Sequence, residues 1–267
     1  MSHEFHKLRV VEVLRETPDA VSIRLEAPKG VASQFQFKPG QHLTFRRELG
    51  GEEVRRNYSL CVAPSEGVLK IGVKKIAGGV FSTWANEELK AGDALDALAP
   101  HGSFTRTFDA SAANQYAAFA GGSGITPVLS LIKAALETEP RSRFTLCYGN
   151  RTSAGIMFLE ELAGLKDRYI DRLQVFHFLE DEEEEVAIFN GRLDREKCDD
   201  ILRTLIAPAN VDAFFICGPG PMMDAIEAAL AAHGVAKGKV LIERFTTAER
   251  SAAQAAAARA LEEKAAG

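Results

Sequence analysis

From residue 113 onward, seven-residue apolar runs alternate with helix-length amphipathic stretches, and no other feature limits the fold so tightly. The runs are QYAAFAG, RFTLCYG, LQVFHFL, DAFFICG and KVLIERF. Between them lie TPVLSLIKAALE, AGIMFLEELAGLK, REKCDDILRTLI and PMMDAIEAALAAHG. Strands apolar on both faces must be covered on both, and a helix between successive strands returns the chain for parallel pairing. The alternation predicts a doubly wound parallel sheet with helices on both faces.

The first hundred residues follow another rule. LRVVEVLRE, AVSIRLEAP, QHLTFRREL, RRNYSLCVA, VLKIGVKKI and DALDALAP are short candidate strands separated by Gly and Pro. One helix interrupts them, FSTWANEEL, with Phe81, Trp84, Ala85 and Leu89 on one face. Pro39 and Gly40 mark a turn before the third strand. Strands at this spacing predict a small antiparallel β-barrel. The expected division is a barrel domain over 1–110, an α/β domain over 111–247, and an Ala-rich linker or helical tail over 248–267.

Charge and cysteine usage exclude several functions. The 267 residues carry a net charge of −5, which argues against general nucleic-acid binding. The charge is uneven, +2 over residues 1–108 and −7 over the rest. LEDEEEE, residues 179–185, reads as an exposed loop. Without an apolar stretch long enough for a signal peptide or a bilayer span, a cytoplasmic location and no membrane role are expected. Cys61, Cys147, Cys198 and Cys217 stand far apart, which fits reduced thiols and predicts no metal site. No C-x₄-C-x₂-C run is present for a plant-type iron–sulfur cluster.

Three glycine-rich turns carry the chemistry. GGSGITP, residues 121–127, ends one apolar strand and opens a helix. Gly122 and Gly124 allow a tight turn and close approach of a ligand, Thr126 can cap the helix, and Pro127 suits its first turn. Free amides and the helix dipole there favour a phosphate. ICGPGPMM, residues 216–223, repeats the strand–turn–helix arrangement and places Cys217 where ligands of such sheets lie. In the barrel, KKIAGGVFSTW offers a second phosphate site at Gly79 and Ser82. The strand ending in CYGNRTSAG has Asn150 and Arg151 where an NAD-specific site usually has a carboxylate. Arginine there can pair with a 2′-phosphate, so NADPH is expected, with NADH as the alternative. In RRNYSL, Arg56 can neutralise a pyrophosphate, Tyr58 can lie against a flat ring, and Ser59 can hydrogen-bond a ring nitrogen.

In this order R-N-Y-S, G-G-V-F-S, G-S-G-I-T-P and C-G-P-G-P-M-M resemble the ferredoxin–NADP reductase superfamily over residues 5–247. YGNRT, FLEEL and ERF are most similar to the reductase components of multicomponent oxygenases, those of the phenylacetyl-CoA epoxidase kind above all. The resemblance implies a flavin-dependent NAD(P)H oxidoreductase with an FAD-binding barrel followed by an NADP-binding domain. It implies that Arg56, Asn57, Tyr58, Ser59, Val73 and Lys74 line the flavin, and that Gly79, Val80, Phe81 and Ser82 cradle its pyrophosphate. Gly122, Gly124, Thr126 and Pro127 would receive the NADP pyrophosphate, with Asn150 and Arg151 at its ribose end. Cys217, Gly218 and Pro219 would adjoin the nicotinamide, and Ser59, Cys217, Glu243 and Phe245 would surround hydride transfer. The implied partner is an iron–sulfur electron acceptor serving an oxygenase component. That subgroup carries a C-terminal [2Fe–2S] domain whose cysteines are missing here, so the acceptor is either a removed domain or a separate protein. A non-catalytic nucleotide-binding assembly subunit is the competing class.

Overall fold

The computed structural model describes residues 4–245. The Ala-rich stretch 248–267 lies outside the described residues. Six antiparallel strands form the first sheet: β1 (His6–Thr17), β2 (Ala20–Glu26), β3 (His42–Leu49), β4 (Glu52–Ser59), β5 (Leu69–Lys74) and β6 (Ala94–Ala97), in the order β4-β3-β6-β1-β2-β5. Period-two alternation turns Leu8, Val10, Val21, Ile23, Leu43, Phe45, Ile71, Val73 and Leu95 into one core. Helix α1 (Val80–Glu87) closes that core with Phe81, Trp84 and Ala85.

The cylinder closes at a single point. Among the described residues β4 and β5 share no ladder and are bridged just beyond Ser59, at Leu60–Ile71, where the Cys61 amide donates to the Lys70 carbonyl at 2.9 Å. Away from that bridge β4 pairs with β3 and β5 with β2. A fork therefore opens between Tyr58–Ser59 and Gly72–Val73.

The second sheet holds β7 (Gln115–Gly121), β8 (Arg143–Asn150), β9 (Leu173–Leu179), β10 (Ala213–Cys217) and β11 (Val240–Glu243), all parallel, in the order β11-β10-β7-β8-β9. Helices α2 (Ile125–Thr138), α3 (Leu159–Arg168), α4 (Arg195–Thr204) and α5 (Gly220–Ala232) connect them. Tyr116, Ala118 and Ala120 face one buried cluster, and Ala117 and Phe119 face the other, so both sides of β7 are covered. The chain runs outward from β7 to β9 and then restarts at β10 on the opposite side of β7. Such a reversal leaves a crevice at the carboxyl ends of the two neighbouring strands.

One element begins later than its sequence suggests. The stretch 154–166 is not helical from its start: a 3-10 turn over Ser153–Gly155 precedes α3, and Phe158 has φ 60°. Ile156, Met157 and Phe158 are buried. Met157 and Phe158 reach the barrel at Gly72, where an added Cβ would meet their terminal carbons at 2.9 and 3.0 Å. Contact between the two sheets overrides helix propensity there.

Among the described residues no helix is long and apolar enough to cross a membrane.

Candidate functional site

On the barrel side, the β3–β4 ladder pairs Leu43 with Tyr58 and Phe45 with Arg56. Opposed residues share a face and alternate residues repeat it, so Arg56 and Tyr58 point the same way while Asn57 and Ser59 point the other. Tyr58 packs on Phe81 with ring centroids 5.4 Å apart and on Phe45 at 6.2 Å. Burial raises its phenol well above the ordinary range, against a smaller opposing pull from Arg56, so the ring is neutral at the fork. Arg56 donates to its neighbour's carbonyl, Arg55 O, at 2.7 Å. Asn57 is exposed and its Oδ1 accepts from the Thr44 hydroxyl at 2.6 Å. The Ser59 Oγ is buried and has no hydrogen-bond partner. A buried hydroxyl left unpaired in a folded protein points to a polar ligand, and a flavin ring nitrogen fits it.

The glycine turn before α1 is built from the inside. Ser82 Oγ donates to the Gly79 carbonyl at 3.1 Å and accepts from the Ile76 amide at 3.3 Å. The hydroxyl expected to hold a phosphate thus closes the turn itself. A Cβ on Gly79 would stand 2.4 Å from Ser82 Oγ, so the tight turn requires glycine. Phe81 is buried in the barrel core, and only its backbone can face an anion. Val80, at the first helical position, remains 52% exposed. The Val73 carbonyl accepts from Asn86 Nδ2 at 3.1 Å.

On the α/β side, two strand–turn–helix units lock together at the crevice. A Cβ on Gly124 would lie 2.1 Å from the Cys217 carbonyl oxygen and 2.8 Å from the Gly218 amide nitrogen. Gly124 therefore serves contact between the two turns, where sequence reasoning expected approach to a ligand. Gly218 is equally tight, 2.5 Å from Met222 Cε and 3.0 Å from the Gly121 nitrogen. Gly122 differs: φ is 51° and nothing lies within 4 Å of an added Cβ, so its backbone faces open space. Thr126 does not cap α2. Its hydroxyl donates to the Ser123 carbonyl at 3.0 Å, and Gly124 occupies the capping position. Pro127 lies in the buried first turn.

Cys217 and Glu243 are register partners at the ends of β10 and β11, and Pro219 starts α5. Burial first, and then the Glu243 carboxylate, holds the Cys217 thiol well above its usual range. It is thus a protonated packing group rather than a nucleophile. Burial also raises the Glu243 carboxyl. Phe245 packs on the same cluster that holds Cys217. At the end of β8 the Asn150 amide is buried, and neither its nitrogen nor its oxygen finds a partner in hydrogen-bonding geometry. Arg151 next to it is bound to Asp181, with Nη2 2.7 Å and Nε 2.9 Å from one carboxylate oxygen. The acidic run is exposed for the most part, as its composition implies, but its first half is docked on this strand end. The Asp181 amide donates to the Arg151 carbonyl at 2.8 Å, and Glu182 accepts from the Ser153 amide at 3.0 Å.

The two half-sites adjoin. A Cβ on Gly72, in the barrel fork, would stand 2.8 Å from Thr126 Cγ2 at the start of α2. Lys74 reaches the Gly155 carbonyl at 3.4 Å and Asp19 at 3.6 Å. Strand β5, which borders the fork, and the turn that opens α2 are thus in direct contact. Gly72, Met157 and Phe158, which form this junction, carried no signal in the sequence, because packing between distant segments leaves no local pattern.

Comparison with known proteins assigns a family to the two halves. The profile described as "Oxidoreductase FAD-binding domain" matches residues 7–106, and that described as "Oxidoreductase NAD-binding domain" matches residues 119–228. The chain is 43% identical over 243 residues to a component of the 1,2-phenylacetyl-CoA epoxidase of Escherichia coli K12, covering 91% of this chain and 68% of that protein. It is 34% identical over 244 residues to the ferredoxin reductase component of 3-ketosteroid-9-alpha-monooxygenase of Rhodococcus rhodochrous, covering 90% and 65%. It thus spans about two thirds of the length of these curated relatives. Among solved structures, the FAD/NAD binding domain of a Vibrio cholerae nitric oxide dioxygenase shares the fold, with TM-score 0.79, 22% identity, and 91% and 99% of the two chains covered. A ferredoxin NADP+ reductase from Neisseria gonorrhoeae with bound FAD and NADP gives TM-score 0.73 at 19% identity, covering 91% and 99%. With both domain profiles in the order of the two sheets, the chain belongs to the ferredoxin–NADP reductase family of FAD- and NAD-binding oxidoreductases.

Proposed function

We propose that this chain passes electrons from a reduced pyridine nucleotide through FAD to an iron–sulfur acceptor, and so serves an oxygenase component. The observation that carries this reading is the contact between the fork and the phosphate turn, Gly72 against Thr126. Bound FAD would supply two-electron acceptance from the nicotinamide and one-electron release, chemistry that belongs to the cofactors. The residues supply placement. Tyr58 offers a neutral flat face, Arg56 a charge for the pyrophosphate, and Ser59 an unpaired hydroxyl. The amides at Gly122 and the start of α2 receive the second pyrophosphate. Cys217 and Glu243 flank the nicotinamide, and Cys217 remains a thiol throughout. The barrel half would end near residue 110. The oxygenase role follows from the named functions of the relatives, which include reductase components of monooxygenases. FAD-loaded protein is expected to reduce ferricyanide with NADPH or NADH in the absence of any partner. Tight binding of both cofactors without turnover would instead support a non-catalytic assembly subunit.

Arg151 supports NADPH as the donor, through a 2′-phosphate. Arg151→Ala is expected to weaken NADPH binding by about 1.5–3 kcal/mol, the loss of a charged hydrogen-bond partner, and to leave NADH binding unchanged. A second reading, NADH, is favoured by Asp181, which already occupies the guanidinium and would face the phosphate. The pair is largely exposed, so its release is worth about 0.5–1 kcal/mol. Asp181→Asn should therefore shift the ratio of kcat/KM values toward NADPH by roughly two- to fivefold. A wild-type ratio favouring NADH together with a shift of that sign selects the second reading. An Arg151→Ala protein with unchanged NADPH affinity contradicts the first.

A further inference from the structure

We infer that the segment 155–161 is a spacer laid along β5, and that Phe158 within it is a positioning residue that fixes how closely the nucleotide-binding half approaches the flavin-binding half. This rests on the proposed transfer from pyridine nucleotide to FAD, in which one hydride carries both electrons from donor to flavin.

Strand β5 turns Leu69, Ile71 and Val73 into the barrel core, so Lys70, Gly72 and Lys74 share its outer face. Each of the three meets a successive part of the segment, in reverse order. The Lys74 ammonium donates to the Gly155 carbonyl at 3.4 Å. A Cβ on Gly72 would stand 2.9 Å from Met157 Cε and 3.0 Å from Phe158 Cζ. The Lys70 ammonium lies 5.3 Å from the centroid of the Phe158 ring and pairs with Glu161 at 3.3 Å. The segment thus follows about 13 Å of strand, at 3.3 Å per residue. At one end it continues the 3-10 turn that leads from β8, the strand of Asn150, and along its length it lies on β5, which borders the fork. It therefore joins the two places where the ligands are expected.

Two features mark Phe158 within the segment. Apart from glycines, it alone among the described residues has a positive φ. Its φ of 60° and ψ of 29° are unusual for a bulky side chain and persist only where the surroundings over-determine them. Its ring is buried and points its tip at the one residue of β5 that has no side chain. Met157 and Thr126 converge on the same glycine, with Thr126 Cγ2 2.8 Å from the added Cβ. Side-chain bulk at this point sets how closely β5 and the turn that opens α2 can approach. Hydride transfer is sensitive to that spacing, because a misplacement of about 1 Å can cost roughly a hundredfold in rate.

Stopped-flow reduction of the FAD-loaded full chain, by whichever of NADPH and NADH bleaches the wild-type flavin, tests this. The limiting rate and the half-saturating nucleotide concentration are read separately. Phe158→Leu and Gly72→Ala should each lower the limiting rate about tenfold or more, while FAD affinity and half-saturation change by about threefold or less. Their combination gives the added methyl the space that the ring leaves, and should recover most of the loss. A residue that served stability alone would move the melting temperature and leave the limiting rate of the folded protein unchanged. Lys74→Met, at the partly exposed end of the same face, provides the test should the buried variants not fold. Its limiting rate should fall about two- to fivefold, the effect of one lost hydrogen bond. Unchanged limiting rates, losses confined to cofactor affinity, or a double variant that multiplies the two single losses overturns the inference and leaves the functional reading intact. A wild-type chain that holds both cofactors and keeps its flavin oxidised overturns both.

Discussion

Gly124→Ala should lower the stability of this chain by about 3 kcal/mol or more, at the upper end for overpacking a tight interior. The added methyl would stand 2.1 Å from the Cys217 carbonyl oxygen and 2.5 Å from its carbon. Both are backbone atoms at the end of a central strand, so no flexible side chain can yield. Relief requires β7 and β10 to separate at their carboxyl ends, where the nucleotide crevice lies. Thermal unfolding should therefore begin about 6–12 °C lower, given 2–4 °C per kcal/mol for a chain of this size. Pyridine-nucleotide binding should weaken more than FAD binding. Gly122→Ala is the control: its φ of 51° costs about 1–2 kcal/mol of backbone strain, with no clash within 4 Å. A Gly124→Ala protein as stable as the wild type would show that the two turns are not held in contact.

Lys133→Ala should cost a comparable amount. Lys133 sits on α2, nearly all of which is buried between sheet and barrel. Its ammonium contacts Glu66 at 3.0 Å, on the barrel side, and Glu161 on α3. Lys70 on β5 reaches Glu161 at 3.3 Å. Burial alone would lower the Lys133 pKa, but Glu161 and Glu66 outweigh it and hold it above its ordinary value. Removing the cation leaves Glu66 without a lysine and Glu161 with Lys70 alone. Breaking a buried pair costs about 3–5 kcal/mol, and partial exposure of both carboxylates places this case near 3. Lys133→Met keeps the stem packed while removing the charge, so its loss should remain large. Adding Glu161→Gln to Lys133→Met should recover part of it, as a double-mutant cycle of melting curves would show. Full additivity would contradict the coupling. Because the cluster spans the junction, acceptor reduction should fall before either cofactor is lost.

Both halves of the fold were legible because each has a period: alternation in the barrel, and apolar run followed by helix beyond it. The glycine turns at 78–79, 121–124 and 218–220 were legible from their place between strand and helix. What individual residues do at those turns was not. Ser82 and Thr126 read as ligand or capping groups, yet both hydroxyls bond to carbonyls three residues earlier. Gly124 read as a ligand contact, yet its neighbour is a turn nearly a hundred residues away in sequence. The late start of α3, the Arg151–Asp181 pair and the Lys133 cluster have the same origin. Each depends on a partner brought near by tertiary packing, and local sequence carries no record of it.

Whether flavin and pyridine nucleotide meet between Tyr58 and Cys217 is tested most directly by an anaerobic titration of the FAD-loaded chain with NADPH and with NADH. The oxidised-flavin absorbance should be lost with about one equivalent of at least one of the two, since hydride transfer moves both electrons together. A chain that binds FAD and the reduced nucleotide at once, yet keeps its flavin oxidised, would contradict it.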